Sequence, residues 1–211
     1  MKRLAILGAS GHGKVIADTA LLSGWEEVIF FDDMWPDKKK NGRWSIIGDA
    51  QALIHHKIDF DAAIVAVGNN SVRLDKTLWL KSHDIPLATI IHPSAVLSPY
   101  VRLGYGSVVL ANAVVQIDTV LGIASLINTS ASVDHDCVLE DGVHICPGAR
   151  LAGGVRVGSK SWIGIGSSVK QSIQIGANVT VGAGAAVITD ISDSVTVAGV
   201  PARNLACENK C

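Results

Sequence analysis

From residue 95 to residue 190 the chain divides into sixteen consecutive hexapeptides without an insertion. They run from Ala95-Val96-Leu97-Ser98-Pro99-Tyr100 to Ala185-Ala186-Val187-Ile188-Thr189-Asp190. The third residue is Leu, Ile or Val in all sixteen, and the first is nearly always small or branched. A helical period of 3.6 cannot hold this phase, and neither can a heptad. A sandwich of ordinary short strands has no reason to keep a strict six-residue step. The period predicts a parallel β-helix in which the third side chain of each repeat fills a narrow interior and small first residues fill the corners. The fourth position is often glycine, as at Gly104, Gly122, Gly158, Gly164, Gly176 and Gly182. That is read here as supplying the backbone angles of the turns. With three strands per turn, the repeats make about five turns of a prism roughly 25 Å tall at the ~4.8 Å strand spacing. Its flat flanks favour self-association.

The composition fits such a core. Hydrophobic residues reach 48% but aromatics only 5%, and there are 21 glycines. Eighteen Lys and Arg against nineteen Asp and Glu give a formal charge of −1, which offers no electrostatic case for nucleic acid or an anionic membrane. No apolar run approaches the ~20 residues that span a bilayer. The opening Met1-Lys2-Arg3 and its apolar sequel resemble the head of a signal peptide, but the stretch soon meets glycine and reads as a first strand. Cys137, Cys146, Cys207 and Cys211 lack zinc-type spacing and read as free thiols of a cytoplasmic protein.

Residues 1–90 have another rhythm, and the expected domains are 1–90 and 91–211. Strands are predicted at Arg3–Leu7, Val28–Phe31, Ala62–Val67 and Ala88–Ile91. Helices are predicted from the glycine loop to about Ser23, near Asp49–His56 and over Val72–Ser82. This alternation predicts a small parallel sheet of Rossmann-like α/β type. The loop Gly8-Ala9-Ser10-Gly11-His12-Gly13-Lys14 would aim N–H groups and a helix N-terminus at a phosphate, although its G-x-x-G-x-G spacing is not the dinucleotide fingerprint. Asp32 and Asp33 stand at the end of the second strand, where a ribose or base is hydrogen-bonded in such folds. Ninety residues supply one mononucleotide half, which favours a mononucleotide or nucleotide-sugar over NAD.

Taken together, these segments resemble the hexapeptide-repeat sugar acetyltransferases. These include UDP-4-amino-sugar N-acetyltransferases of the bacillosamine type, GDP-perosamine N-acetyltransferases and sialic acid O-acetyltransferases. The resemblance spans the chain. It is carried by the glycine loop, Phe31-Asp32-Asp33, Gly68-Asn69-Asn70 with Arg73, Ile91-His92-Pro93, Asn128-Thr129-Ser130, Asp134-His135-Asp136-Cys137 and the closing Ala198-Gly199-Val200-Pro201-Ala202-Arg203. It implies left-handed coiling of the β-helix, a homotrimer with sites between subunits, and acetyl-CoA as donor with no metal.

Acetyl transfer needs a base, donors for an oxyanion and a seat for the thioester. The resemblance makes His135 the base. It occupies a turn position, and Asp136, where the bacillosamine-type motif carries Glu, would orient or charge-stabilise its imidazole. Eighteen residues on, Gly153 should lie at the same corner one turn along and offer an N–H to the thioester oxygen. The resemblance further implies that His144, Gly153, Ile165 and Ala183 hold the donor. It assigns Ser10, Gly11, His12, Asp32, Asp33, Gly68 and Asn128 to the acceptor. Cys137 and Cys146 are read as packing residues, so no acyl-enzyme is expected.

The favoured activity is N-acetylation of the 4-amine of a nucleotide-linked amino sugar. The alternatives are a GDP-perosamine-type acceptor, O-acetylation of sialic acid and a non-catalytic β-helix scaffold. A β-helix carbonic anhydrase needs three zinc histidines, and the repeats hold only His135 and His144.

Overall fold

A computed structural model describes residues 1–205, so Cys207 and Cys211 lie outside the described residues. The chain forms two compact units, Met1–Pro93 and a second that begins at Ser94. The boundary falls at Pro93, three residues beyond the sequence expectation.

The first unit holds β1 (Arg3–Leu7), α1 (Gly11–Leu22), β2 (Glu27–Phe31), β3 (Lys40–Asn41), β4 (Trp44–Gly48), α2 (Ala50–His55), β5 (Ala62–Val65), α3 (Asn70–Ser82) and β6 (Ile90–Ile91). Five strands form one sheet in the order β3-β4-β2-β1-β5. β1 pairs parallel to both β2 and β5, with Leu7 opposite Phe31 and Val65. Buried on both faces, β1 reads as an unbroken apolar run from Leu4 to Leu7. Ala5, Leu7, Phe31, Leu53, Phe60, Val65, Leu80 and Ile85 form one core cluster. Because β2 and β5 flank β1 on opposite sides, the chain reverses direction across the sheet at β1. The crevice outside the carboxyl ends of β1 and β5 is therefore the natural ligand position.

Two features differ from the expectation. β5 ends at Val65 rather than Val67, and α3 starts at Asn70, where the Asn69 side chain caps it by accepting the Val72 N–H at 3.0 Å. The hairpin β3–β4 was not predicted. Its signals were Asn41-Gly42 at the turn and an alternation in which Ser45 and Ile47 are exposed while Ile46 and Gly48 are buried.

The second unit is a parallel β-helix with three faces. One carries the strands at Val96–Leu97, Val114–Val115, Ser132–Val133, Arg150–Leu151, Ser168–Val169 and Ala186–Val187. Its rungs pair at a constant step of eighteen, Val114 with Val96 and with Ser132. On the other two faces the step shortens to sixteen at the end, where Thr180 pairs with Thr196 and Ile175 with Ile191. From Ser107 to Val187 the first and third residues of every repeat are buried. Polar first residues are satisfied across the interior: Ser107 Oγ donates to the Gly122 carbonyl (3.0 Å), Thr119 Oγ1 to Asp134 (2.9 Å) and Ser161 Oγ to Gly176 (2.7 Å).

The role of glycine is corrected. The left-handed corner is the sixth residue of each repeat, from Gly106 through Asn112, Asp118, Ala124, Ser130 and Asp136 to Gly184, with φ between 54° and 71°. The fourth position is not left-handed. A Cβ on Gly104 would stand 2.4 Å from the carbonyl carbon of Gly122, so glycine there admits the backbone of the next coil.

Candidate functional site

On the β-helix, the site begins where the strand Ser132–Val133 turns. Asp134 Oδ1 accepts the His135 N–H at 2.9 Å, and Asp136 adopts φ +59°, which closes the corner. The folded-back Asp136 carboxylate meets His135 Nδ1 at 2.7 Å. This hydrogen bond, opposed by desolvation and aided by the charges of Asp134 and Asp136, raises the His135 pKa above its ordinary value. In the neutral ring Nδ1–H donates to Asp136, which leaves the Nε2 lone pair for a proton.

The ring lies against Gly153. A Cβ on Gly153 would stand 2.5 Å from His135 Cε1 and 2.6 Å from Nε2. Gly153 thus shares the corner with His135, as the eighteen-residue step requires, and its missing side chain is the seat of the imidazole. Its N–H enters no hydrogen bond among the described residues. An imidazole nitrogen and an unbonded backbone N–H thus belong to the same corner.

Asn128, His144, Ile165 and Ala183 belong to a different corner. Ile165 and Ala183 are fifth residues eighteen apart, and both are exposed. His144 is on a strand rather than in a turn, and it is 4% exposed. The Asn128 amide donates to His144 Nε2 at 3.0 Å, and the Trp162 ring lies 4.3 Å from the imidazole. Asn128 Oδ1 accepts the Thr129 N–H at 2.8 Å. The two corners sit on opposite edges of the face that carries Ser132 and Arg150, so one chain does not bring these two groups of residues together.

Cys137 packs inside. Its Sγ donates to the Ala152 carbonyl at 3.4 Å, and burial pushes its pKa up, which disfavours a thiolate nucleophile. Cys146 is likewise a buried free thiol. Among the described residues, no group of three or more His, Cys, Asp or Glu is placed to hold a metal. None of their helices is long and apolar enough to cross a membrane. A hollow of about 550 Å³ in this unit runs along Val138, Arg156 and Gln174 to Asp193 and is not lined by His135.

In the first unit, Ser10, Gly11 and His12 open α1 beside the crevice. Ser10 makes no side-chain capping bond, and α1 has no acid in its first turn, which leaves the helix N-terminus receptive to an anion. Beyond the Cα of Gly11, and of Gly68 opposite, there is open space. His12 is largely buried, with Nε2 unpartnered, and burial followed by the charge of Arg73 lowers its pKa to about 4. Asp32 is committed to the loop: its oxygens accept the N–H groups of Ala9 (2.6 Å) and Met34 (3.0 Å). Asp33 pairs with Lys76 at 2.7 Å on the rim of a hollow of about 410 Å³ that includes Gln51 and Trp79.

Sequence reasoning did not assign site roles to Lys38, Asn41 or Arg73. Lys38 Nζ donates to the Ala9 carbonyl, and Asn41 Nδ2 donates to that of Ser10 at 3.2 Å. Nothing in Lys38-Lys39-Lys40 marks which lysine turns inward.

Comparison with known proteins agrees with this architecture. The family model of the PglD N-terminal domain matches residues 3–77. The acetyltransferase domain of PglB from Neisseria gonorrhoeae FA1090, solved with acetyl coenzyme A, is 42% identical; the match covers 97% of this chain and 99% of that one, with a TM-score of 0.93. PerB from Caulobacter crescentus, solved with CoA and GDP-perosamine, is 36% identical over 97% of each chain, with a TM-score of 0.91. UDP-N-acetylbacillosamine N-acetyltransferase from Bacillus subtilis (strain 168) is 40% identical over 116 residues, 53% of this chain and 52% of that protein. With a Rossmann-like domain followed by a left-handed parallel β-helix, the chain belongs to the hexapeptide-repeat sugar acetyltransferases.

Proposed function

We propose that the protein transfers the acetyl group of acetyl-CoA to the 4-amine of a UDP-linked 4-amino-4,6-dideoxy sugar. The observation that carries this reading is the His135–Asp136 pair, with its free ring nitrogen against the Gly153 backbone. The amine nitrogen attacks the thioester carbonyl while His135 Nε2 takes its proton, and the Gly153 N–H faces the developing oxyanion. Collapse breaks the carbon–sulfur bond, and His135 returns the proton to the departing thiolate. The product is an amide and free CoA. Asp136 holds the ring and stabilises its protonated form.

Two half-sites on opposite edges of one face support a homotrimer. In a closed threefold ring, the His135 corner of one copy meets the Ile165–Ala183 corner of the next. Ile165 and Ala183 then take the donor, and His144 and Asn128 back that corner. In the first unit, Ser10, Gly11, His12 and Gly68 take the diphosphate, and the hollow beside Asp33 takes the base. Asp32 shapes the loop from behind. We place the reaction in the cytoplasm, a compartment suited to the free thiols of Cys137 and Cys146.

A GDP-linked amino sugar is the second reading. It is favoured by the full-length likeness to PerB, whereas the UDP reading is favoured by the likeness to the Bacillus subtilis enzyme. Release of free thiol from acetyl-CoA, measured against UDP- and GDP-4-amino sugars and free sialic acid, tests both. Saturation by a UDP-sugar is expected. Saturation by a GDP-sugar establishes the second reading, and turnover with sialic acid alone overturns both.

A further inference from the structure

Among the described residues, the largest fully buried side chain is a cation. Arg73, in the first turn of α3, is 1% exposed. Its Nη1 donates to the carbonyls of Val67 and Gly68, both at 3.2 Å, and its Nη2 to Asn70 Oδ1 at 2.9 Å. All three acceptors lie between the end of β5 and the start of α3. In a trans peptide the C=O and the following N–H point in opposite directions. Turning the Val67 and Gly68 carbonyls onto the guanidinium therefore turns the N–H groups of Gly68 and Asn69 away from it. Space is open beyond Gly68, and α3 carries no acid in its first turn. A Cβ on Gly8 would stand 2.8 Å from the Ala66 carbonyl oxygen, so the loops after β1 and β5 are already in contact.

We propose that Arg73 is a positioning residue for the nucleotide-sugar: from inside the fold it sets the Val67–Asn70 turn so that its N–H groups and fixed charge serve the diphosphate in the β1/β5 crevice. This inference rests on the function proposed above and assigns the crevice its cation. Two other groups border the loop: Lys38, whose Nζ is engaged by the Ala9 carbonyl, and His12, whose pKa is lowered to about 4 by burial and by Arg73 itself. Asp32 accepts the Ala9 N–H in the same loop. His12 therefore meets the ligand as an uncharged hydrogen-bonding group, and the positive charge stays on a side chain that cannot titrate.

The test compares wild type, Arg73→Met and Arg73→Lys in the full-length protein. UDP and GDP binding is measured calorimetrically, and kcat and both KM values are measured from pH 5 to 8. For Arg73→Met, about a tenfold or greater loss of nucleotide affinity is expected, with a matching rise in nucleotide-sugar KM. kcat and the acetyl-CoA KM should stay within about threefold, as expected for loss of uniform acceptor binding. Burial, the larger cause of the lowered His12 pKa, remains in this variant, so the nucleotide-sugar KM should keep the wild-type pH profile. Arg73→Lys, which keeps the charge but not the fork, should fall between the two. Equal nucleotide binding by Arg73→Met and wild type overturns the inference alone. Failure of the wild-type chain to bind either nucleotide overturns it together with the proposed function. If Arg73→Met does not fold, Arg73→Lys decides: a loss of nucleotide affinity relative to wild type is expected, and wild-type affinity overturns the inference.

Discussion

Gly153→Ala separates two roles that the same residue could play. Alanine keeps the backbone N–H, so a position that only donates to an oxyanion should tolerate it. The structure expects otherwise. The new methyl group would sit 2.5 Å from His135 Cε1 and 2.6 Å from Nε2, whereas carbon contacts settle near 3.5 Å or beyond. The imidazole must retreat by about 1 Å, and a displacement of that size at a reacting group costs on the order of 10²-fold in rate. The fold should not object. Gly153 is absent from the left-handed residues, and the His135 side chain is 56% exposed and free to swing outward. Stability should therefore stay within about 0.5 kcal/mol of wild type. Gly154→Ala is the matched control. That residue has φ +71°, and its Cβ would meet Ser172 at ordinary contact distances, Oγ at 3.5 Å and Cα at 3.9 Å. It should cost roughly 1 kcal/mol of stability with kcat little changed. The assay is thiol release at saturating substrates, paired with thermal unfolding. A Gly153→Ala variant that retains kcat within threefold of wild type would refute the seat assigned to the ring.

Further expectations follow from the same geometry. Asp136→Asn removes the main cause of the raised His135 pKa, so the acidic limb of the kcat profile should move to lower pH while the plateau falls about tenfold or more. An acidic limb that does not move would separate Asp136 from the base. Co-assembly of His135→Ala with Ala183→Trp chains, each inactive alone, should restore about a quarter of the sites by random assortment in a cyclic ring. No recovery from verified mixed oligomers would place both half-sites in one chain. Ile163→Ala, at a fully buried third position, should destabilise the β-helix by about 3 kcal/mol, read as a lowered denaturation midpoint with an unchanged slope.

The β-helix was legible because a six-residue step repeated along the chain leaves no competing fold, and the buried third positions follow it without exception from Val109 to Val187. The corner chemistry was less visible. Left-handed residues recur at position six, but Asn, Asp, Ser, Ala and Lys share it with Gly, so composition does not single it out. Glycine at position four draws the eye, yet its cause is the neighbouring coil, which no local window contains. The step of eighteen correctly paired His135 with Gly153 and could have shown at once that Ile165 and Ala183 belong to another corner. In the first unit, strand and helix alternation exposed the parallel sheet. The roles of Asp32 and Arg73 depend on hydrogen bonds to Ala9, Val67 and Gly68; position at a strand end suggested ligand contact for the first, and the second entered only as part of the resemblance, with no role of its own.

The most direct test of catalysis at the His135 corner is thiol release by His135→Ala with both substrates saturating. Turnover should fall at least a hundredfold while oligomer size and far-UV circular dichroism match wild type. Turnover within threefold of wild type in a correctly assembled His135→Ala protein would contradict it.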